Sequence, residues 1–169
     1  MPSFPPIPLR LVSDRLVLAP QQPSDAPRLA TLLSLRGRGA VTTEQAAERV
    51  AAMQRTVAEL GIGARVMRRH GDDQPLGCCA LIIGRGTVAE PELAHELLPS
   101  AQGHGCATEA SRALLDAAFA TGRPVVRATI RPWNHESLRV VRRLGLRSVC
   151  GTSVCWVPRR RVPRPRPRR

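Results

Sequence analysis

The sequence has no Lys and no Tyr, and its aromatic side chains are limited to two Phe and two Trp in 169 residues. Any hydrophobic core must therefore be aliphatic, and this is feasible because 43% of the residues are hydrophobic and the length suits one domain. The scarcity of aromatic rings also argues against sequence-specific binding of single-stranded nucleic acid, which relies on stacking bases on such rings.

Long apolar runs are also missing. No stretch reaches the length of a membrane span, and the N-terminal MPSFPPIPLR lacks the apolar core of a signal peptide. The five cysteines are odd in number, Cys78 and Cys79 are adjacent, and no CxxC or CxxH spacing occurs. This pattern argues against a structural zinc site and against a disulfide framework. We therefore expect a reduced cytoplasmic protein with no bound metal and no membrane contact.

Positive charge is abundant, with a formal net charge of +13. Seven Arg lie in the last eleven residues, RRRVPRPRPRR, and without them the net charge falls to +6. A Pro/Arg segment cannot bury apolar surface, so residues 159–169 are predicted to be a disordered tail that contacts nucleic acid nonspecifically, if at all. Residues 1–10 are predicted to be an N-terminal extension, and residues 11–158 a single domain.

Hydrophobic periodicity predicts alternating strands and helices in that domain. The predicted helices are 24–35, 42–60, 107–122 and 134–145. The predicted strands are 11–20, a hairpin of 64–70 with 76–84, then 124–132, and a short strand pair within 146–158. Residues 88–98 fit either a helix or a strand. This order predicts a mixed α/β sheet with helices packed on it.

The stretch QGHGCATEA, residues 102–110, places small residues directly before a predicted helix. The first amides of a helix lack internal partners and carry partial positive charge, so a bare backbone there suits an anion such as phosphate. The alternative is a tight turn between two elements, because glycine commonly marks such turns. No GK[ST] follows as in a P-loop, and the third glycine of a dinucleotide fingerprint is missing.

Three segments together resemble one known family. Residues 102–107, QGHGCA, fit the (Q/R)-x-x-G-x-(G/A) signature of the GNAT family of N-acetyltransferases, and the helix that follows resembles the subgroup similar to the ribosomal-protein acetyltransferases RimJ and RimL. RPWNHESLRVVRRLGL, residues 131–146, is similar to that subgroup's N-x-x-S segment through Asn134 and Ser137. SDRLVLAP resembles its first strand, so the resemblance spans roughly residues 11–150.

The resemblance implies a single-domain GNAT-like α/β fold with a mixed, mostly antiparallel sheet, a splayed central strand pair and flanking helices. It implies that the strand ending at Leu97 and Leu98 splays from 124–132 and that acetyl-CoA enters the wedge, with its pyrophosphate on the amides of the glycine turn. The residues implied to bind acetyl-CoA are Leu97, Leu98, Gln102, Gly103, His104, Gly105, Cys106, Ala107, Asn134 and Ser137.

For catalysis the resemblance implies direct attack by an amine on the thioester. An amide of Leu97 or Leu98 would polarise the carbonyl, and Glu92 is the first candidate for the base. Ser137 aligns with a residue that protonates the departing thiolate. As alternatives, Glu92 is an ordinary exposed strand carboxylate and Ser137 an ordinary serine in the first turn of a helix.

Other groups near these motifs have weaker claims to a catalytic role. His95 and His135 can act as acids or bases, although a single histidine is more often structural. Cys106 at a helix N-terminus fits a small packing residue better than a nucleophile, because no Cys-His-Asp pattern accompanies it. Many relatives protonate the thiolate with a Tyr, which this chain lacks.

The acceptor stays open at this point: a protein N-terminus, a polyamine, an aminoglycoside or another small amine. The basic body argues mildly against cationic antibiotics, whose sites are usually acidic. Two other functional classes fit as well, a non-catalytic CoA-binding protein and a nucleic-acid- or ribosome-binding module that uses the Arg-rich tail. The protein is expected to be a monomer or a homodimer.

Overall fold

Five antiparallel strands form the main sheet of the computed structural model, which describes residues 4–37, 39–148 and 154–158. The predicted tail, 159–169, lies outside the described residues. In the sheet each strand pairs with the next along the chain. The strands are β1 Leu11–Val12, β2 Leu16–Pro20, β3 Ala64–Arg69, β4 Gly77–Ile82 and β5 Glu92–Leu97. The single strand predicted for 11–20 is a tight hairpin instead, because the chain turns back at Ser13, whose N–H donates to the Leu16 carbonyl.

Within the described residues, four α-helices cover this sheet: α1 Ala26–Ser34, α2 Thr43–Leu60, α3 Cys106–Ala120 and α4 His135–Arg143. Thr42 and Gln45 form a capping box at the start of α2, and Gly61 ends it in the left-handed conformation. The Asn134 side chain accepts a hydrogen bond from the Ser137 N–H and caps α4. Among the described residues, no helix is both long and apolar enough to cross a membrane.

The two faces of the sheet bury separate aliphatic cores. Helices α3 and α4 pack on one face, where Leu18, Met67 and Leu81 meet Leu114 and Val141. Helices α1 and α2 pack on the other face around a second group of buried residues, Ala26, Leu29, Ala30, Leu32, Leu33, Ala46, Val50 and Leu98. The prediction of an aliphatic core between helices and a mixed sheet is confirmed.

The sheet opens beyond β5. The Leu93 N–H donates to the Arg127 carbonyl over 2.7 Å, and the Arg127 N–H donates to the Pro91 carbonyl over 2.8 Å, which is a short parallel pairing. Past this point the chains diverge, and β6, Thr129–Ile130, pairs instead with β8, Val154–Pro158. Strand β7, Leu146–Ser148, completes a small second sheet in the order β6-β8-β7. The predicted splayed pair is confirmed, and strand 124–132 is shorter than predicted because most of it has no strand beside it.

Two buried arginines attach the N-terminal segment to the domain. The Arg65 guanidinium donates to the carbonyls of Ile7 and Pro8, and Arg123 donates to the Pro5 carbonyl. Both side chains are almost fully buried, and burial lowers the pKa of each guanidinium. Ile7 itself is 1% exposed. Part of the segment predicted to be an extension therefore contributes to the core.

The core predicts a sharp contrast between two leucines. Leu114 is 0% exposed at the centre of α3, whereas Leu9 is 58% exposed. We expect Leu114→Ala to lower the free energy of unfolding by about 2–5 kcal/mol, because it removes buried methyl groups and leaves a cavity. Leu9→Ala should change it by no more than about 0.5 kcal/mol. Urea unfolding followed by circular dichroism measures both, and equal effects would contradict this assignment of the core.

Candidate active site at the splayed strands

The glycine turn before α3 exposes backbone on its outer side. Gly103 and Gly105 have φ of 79° and 78°, the left-handed region that favours glycine. Gly105 directly precedes α3, and no side chain caps that end of the helix. The first amides of α3, including those of Cys106 and Ala107, therefore lack intrahelical partners. A Cβ built on Gly103 meets nothing within 4 Å, so a ligand has room to approach the turn.

A clamp between Arg15 and Glu109 holds this turn against the first hairpin. The Arg15 Nε donates to Glu109 Oε2 over 2.7 Å, and its backbone N–H donates to Oε1 over 2.8 Å. Ser13 Oγ donates to the same Oε1 over 2.7 Å. The guanidinium also reaches the His104 carbonyl over 3.1 Å, so one side chain ties the turn and the helix together. Sequence analysis missed this clamp, because its two halves are 94 residues apart.

The clamp determines the protonation of its carboxylate. Burial by itself would raise the pKa of Glu109, but hydrogen bonds from Ser13 and Arg15 and the charge of Arg15 outweigh burial and lower that pKa. The same contacts raise the pKa of the Arg15 guanidinium. Glu109 is therefore ionised at neutral pH, and it also lies favourably in the first turn of α3.

A first cavity of about 1040 Å³ lies beside the turn. Eight of the ten residues implied to bind acetyl-CoA line it: Leu97, Gln102, Gly103, Gly105, Cys106, Ala107, Asn134 and Ser137. The His104 side chain is exposed and does not line it. Arg139 and Arg143 of α4 also line it, although sequence analysis did not single them out. Arg139 is paired with Glu136, another lining residue, whereas Arg143 forms no ion pair among the described residues.

The direction of the β5 amides corrects one expectation. The Leu98 N–H donates to the Leu76 carbonyl, and Leu98 is buried against α1 and α2. It is therefore unable to polarise a bound carbonyl. The Leu93 N–H points to the opposite side, towards Arg127, and backbone direction alternates along a strand. The amides of His95 and Leu97 therefore face the opening between the splayed strands.

A second cavity, of about 710 Å³, lies on the sheet face covered by α1 and α2. Glu92 lines this cavity, at the closed end of the wedge, and one of its oxygens accepts a hydrogen bond from Thr129 Oγ1 over 2.7 Å. Glu92 is 9% exposed, so it is not the exposed carboxylate that sequence analysis kept as the alternative. His95 follows three positions later on the same strand, about 10 Å along the chain.

The two cavities meet at five shared residues: Arg36, His95, Glu96, Asn134 and Ser137. At the junction His95 Nε2 lies 3.5 Å from Ser137 Oγ. Burial lowers the pKa of His95 although the nearby Glu96 opposes the shift, so the imidazole is neutral at pH 7. His135, the other histidine considered, is exposed at the start of α4 and lines neither cavity. The structure thus brings His95 and Ser137 together and separates His135 from them.

An ion pair bridges the same junction. Arg36 follows α1 and donates to Glu96 of β5 through two nitrogens, with Nε–Oε1 and Nη2–Oε2 distances of 2.6 and 2.5 Å. Paired hydrogen bonds of this kind fix both side chains. Sequence analysis did not identify either residue, because no local pattern links positions 60 residues apart. Within the described part of the chain, no group of three His, Cys, Asp or Glu is arranged to hold a metal ion.

Comparisons with known proteins agree with this geometry. A family model described as an acetyltransferase (GNAT) domain matches residues 15–147. A solved GnaT-family protein of Bordetella pertussis is 26% identical with a TM-score of 0.69, and the match covers 88% of this chain and 96% of that one. No protein with a curated description matches the sequence.

Two solved structures with bound cofactor share the fold. The yncA protein of Salmonella typhimurium, solved with its cofactor acetyl-CoA, is 19% identical with a TM-score of 0.64, covering 84% of this chain and 90% of that one. RimL, a ribosomal L7/L12 alpha-N-protein acetyltransferase solved with coenzyme A, is 17% identical with a TM-score of 0.71, covering 89% and 95%. At these identities the likeness shows the fold alone.

The clamp predicts a specific dependence of stability on pH. A carboxylate whose pKa is lowered by folding stabilises the protein above its ordinary pKa, and this contribution disappears as the pH falls through the lowered value. We therefore expect Glu109→Gln to lower Tm at neutral pH and the difference from the wild type to shrink on acidification below the ordinary value of 4.5. Thermal unfolding between about pH 3 and about pH 8 tests this. Glu48→Gln, on exposed α2 surface, is the control, and a Tm difference independent of pH would contradict the prediction.

Proposed function

This chain belongs to the GNAT family of acetyltransferases, and we propose that it transfers the acetyl group of acetyl-CoA to a primary amine, of a protein N-terminus or of a small molecule. One observation carries the proposal: the two cavities meet only around a short set of residues that includes His95 and Ser137. Two substrates, one in each cavity, would meet there.

The first cavity fits acetyl-CoA. The bare amides at the start of α3 suit a pyrophosphate, because they offer unpaired donors and partial positive charge. Arg143 supplies a cationic side chain for further phosphate, and the open wedge beside Leu97 suits an extended chain that pairs with β5. Bound acetyl-CoA supplies a thioester, whose acetyl group is the one transferred. The presence of this cofactor in the yncA structure and of coenzyme A in the RimL structure supports the choice.

His95 is the base that the geometry favours. It lies at the junction, and its lowered pKa leaves it neutral and able to accept a proton at pH 7. Because Nε2 faces Ser137, the proton of the attacking amine is taken at Nδ1, directly or through a water molecule. The Leu97 or His95 amide, facing the same opening, polarises the carbonyl that is attacked.

Ser137 is the candidate acid that returns a proton to the departing sulfur. Its hydroxyl lies 3.5 Å from His95 Nε2, so the imidazole can replace the proton that the serine gives away. The Asn134 side chain fixes the backbone of Ser137 by accepting its N–H. In this proposal Asn134 positions the acid, and no Tyr is required.

Glu92 is the second candidate for the base. It lines the second cavity and is buried, as a catalytic carboxylate usually is. Its hydrogen bond with Thr129 and its place at the closed end of the wedge favour a role in shaping the acceptor cavity instead. Substitution of His95 and of Glu92, each in turn, distinguishes which of them is the base.

The cofactor site is tested by adding a negative charge. Ala107 lies in the first turn of α3 and lines the first cavity. We expect Ala107→Asp to weaken acetyl-CoA binding roughly tenfold or more, because the carboxylate repels the pyrophosphate. Ala107→Asn has nearly the same size without the charge and should bind much more tightly than the Asp variant. Calorimetric titration measures both, and equal affinities would contradict the proposed placement of the pyrophosphate.

The acid and base are tested by pH profiles with one acceptor. For the wild type, kcat/KM should rise with pH through the lowered pKa of His95, because only the neutral imidazole accepts a proton, and should rise again at the higher pKa of the acceptor amine, which attacks only when neutral. His95→Gln should lose the lower limb and reduce kcat roughly 100- to 10,000-fold. Ser137→Ala should reduce kcat while keeping acetyl-CoA affinity. If Glu92→Gln removes the lower limb and His95→Gln does not, Glu92 is the base.

A further inference from the structure

The charged side chains that line the second cavity differ in whether they have a partner of opposite charge. One of its two acids is neutralised: Glu96 is paired through two hydrogen bonds with Arg36, whereas Glu92 accepts a single hydrogen bond from the Thr129 hydroxyl. Among the described residues that line the cavity, three arginines outnumber these two acids. The resulting positive charge disfavours a polyamine or a polycationic antibiotic, which brings several ammonium groups.

Two arginines of the cavity have no acidic partner among the described residues. Arg49 of α2 and Arg131, just after β6, both line it and are both exposed. Among the described residues, neither forms an ion pair with an Asp or Glu. The Arg131 guanidinium lies over the Trp133 ring, 5.4 Å from its centroid, which orients the group without neutralising it. Guanidinium groups of this kind bind carboxylates through two parallel hydrogen bonds.

The remaining lining suits a short organic acceptor. Leu29, Leu33 and Met53 contribute apolar surface between the charged groups. A cavity of about 710 Å³ lies within the usual range for small-molecule sites, roughly 300–1,000 Å³. The cavity therefore offers apolar contact, two cationic side chains and a neutral base at its inner end.

We propose that the acceptor carries a carboxylate near its primary amine, and that Arg49 and Arg131 bind this carboxylate while the amine reaches His95. This inference rests on the proposed acetyl transfer. The chemistry fits two sources, a free amino acid and a peptide whose first residues are acidic. It makes the two arginines specificity-determining residues, with no part in the proton transfers.

The test compares acceptors with carboxylates, their neutral amide counterparts and a polycation. One pair is the peptide Ala-Asp-Asp-Ala-amide and its neutral counterpart Ala-Asn-Asn-Ala-amide, the other is free aspartate and its diamide, and spermidine is the polycation. Production of CoA thiol gives kcat/KM for each acceptor. Calorimetric titration of the same acceptors into the protein saturated with CoA measures binding without turnover.

The variants are Arg49→Gln, Arg131→Gln and the double substitution. Arg55→Gln is the matched control, because Arg55 is also an exposed arginine of α2 but does not line the cavity. We expect the wild type to prefer at least one carboxylate acceptor over its amide roughly tenfold or more, mainly through KM and Kd. The preference should disappear in the double variant and persist in Arg55→Gln. The pair that shows it identifies the source, peptide or amino acid.

Three results would overturn the inference. Equal use of acids and amides, or better use of spermidine, would refute it while leaving acetyl transfer intact. A preference unchanged in the double variant would show that other residues create it. Failure to bind acetyl-CoA and to acetylate any of these amines would refute the proposed function itself and the inference with it.

Discussion

The site depends on one feature of hydrogen bonding: the main sheet stops pairing in the middle of β5. Leu93 still bonds to Arg127, but two residues later the chains have separated. The outward-facing backbone of His95 and Leu97 therefore has no strand beside it, and a polar group left unpaired in a protein interior is costly. Gln102 supplies part of the compensation by donating to the Leu97 carbonyl. The two cavities meet beside this unpaired stretch of β5, where both are lined by His95 and Glu96.

Arginine stabilises the irregular segments around this opening. A turn with two left-handed glycines loses more conformational entropy on folding than other sequences do, and it offers no side chains to hold itself in place. Arg15 compensates by binding Glu109 and the His104 carbonyl at once. Arg65 and Arg123 act similarly on the N-terminal segment, where they donate to carbonyls instead of acids. The high net charge is thus partly structural and is not by itself a signal for nucleic acid.

Local signals explain which parts of the structure could be predicted from the sequence. The capping box at Thr42, the hairpin before β4 and the glycine turn all depend on residues close in the chain, and the structure contains each of them. The pairs that define the junction were missed, because Arg36 with Glu96 and His95 with Ser137 meet only through tertiary folding. The expectation that the Leu98 amide faces the cofactor was wrong. Strand register decides which way an amide points, and the adjacent Leu97 and Leu98 give no local signal for the register.

The junction links the position of its residues to their protonation. Because the wedge half-buries His95, its pKa falls and the ring stays neutral, as a base requires. Because the other ring nitrogen faces Ser137, a proton gained from the acceptor side can be passed on towards the cofactor side. On the proposed mechanism a single imidazole therefore serves both substrates, since His95 lines both cavities. If a strand paired with this part of β5, it would occupy the opening in which the two cavities meet.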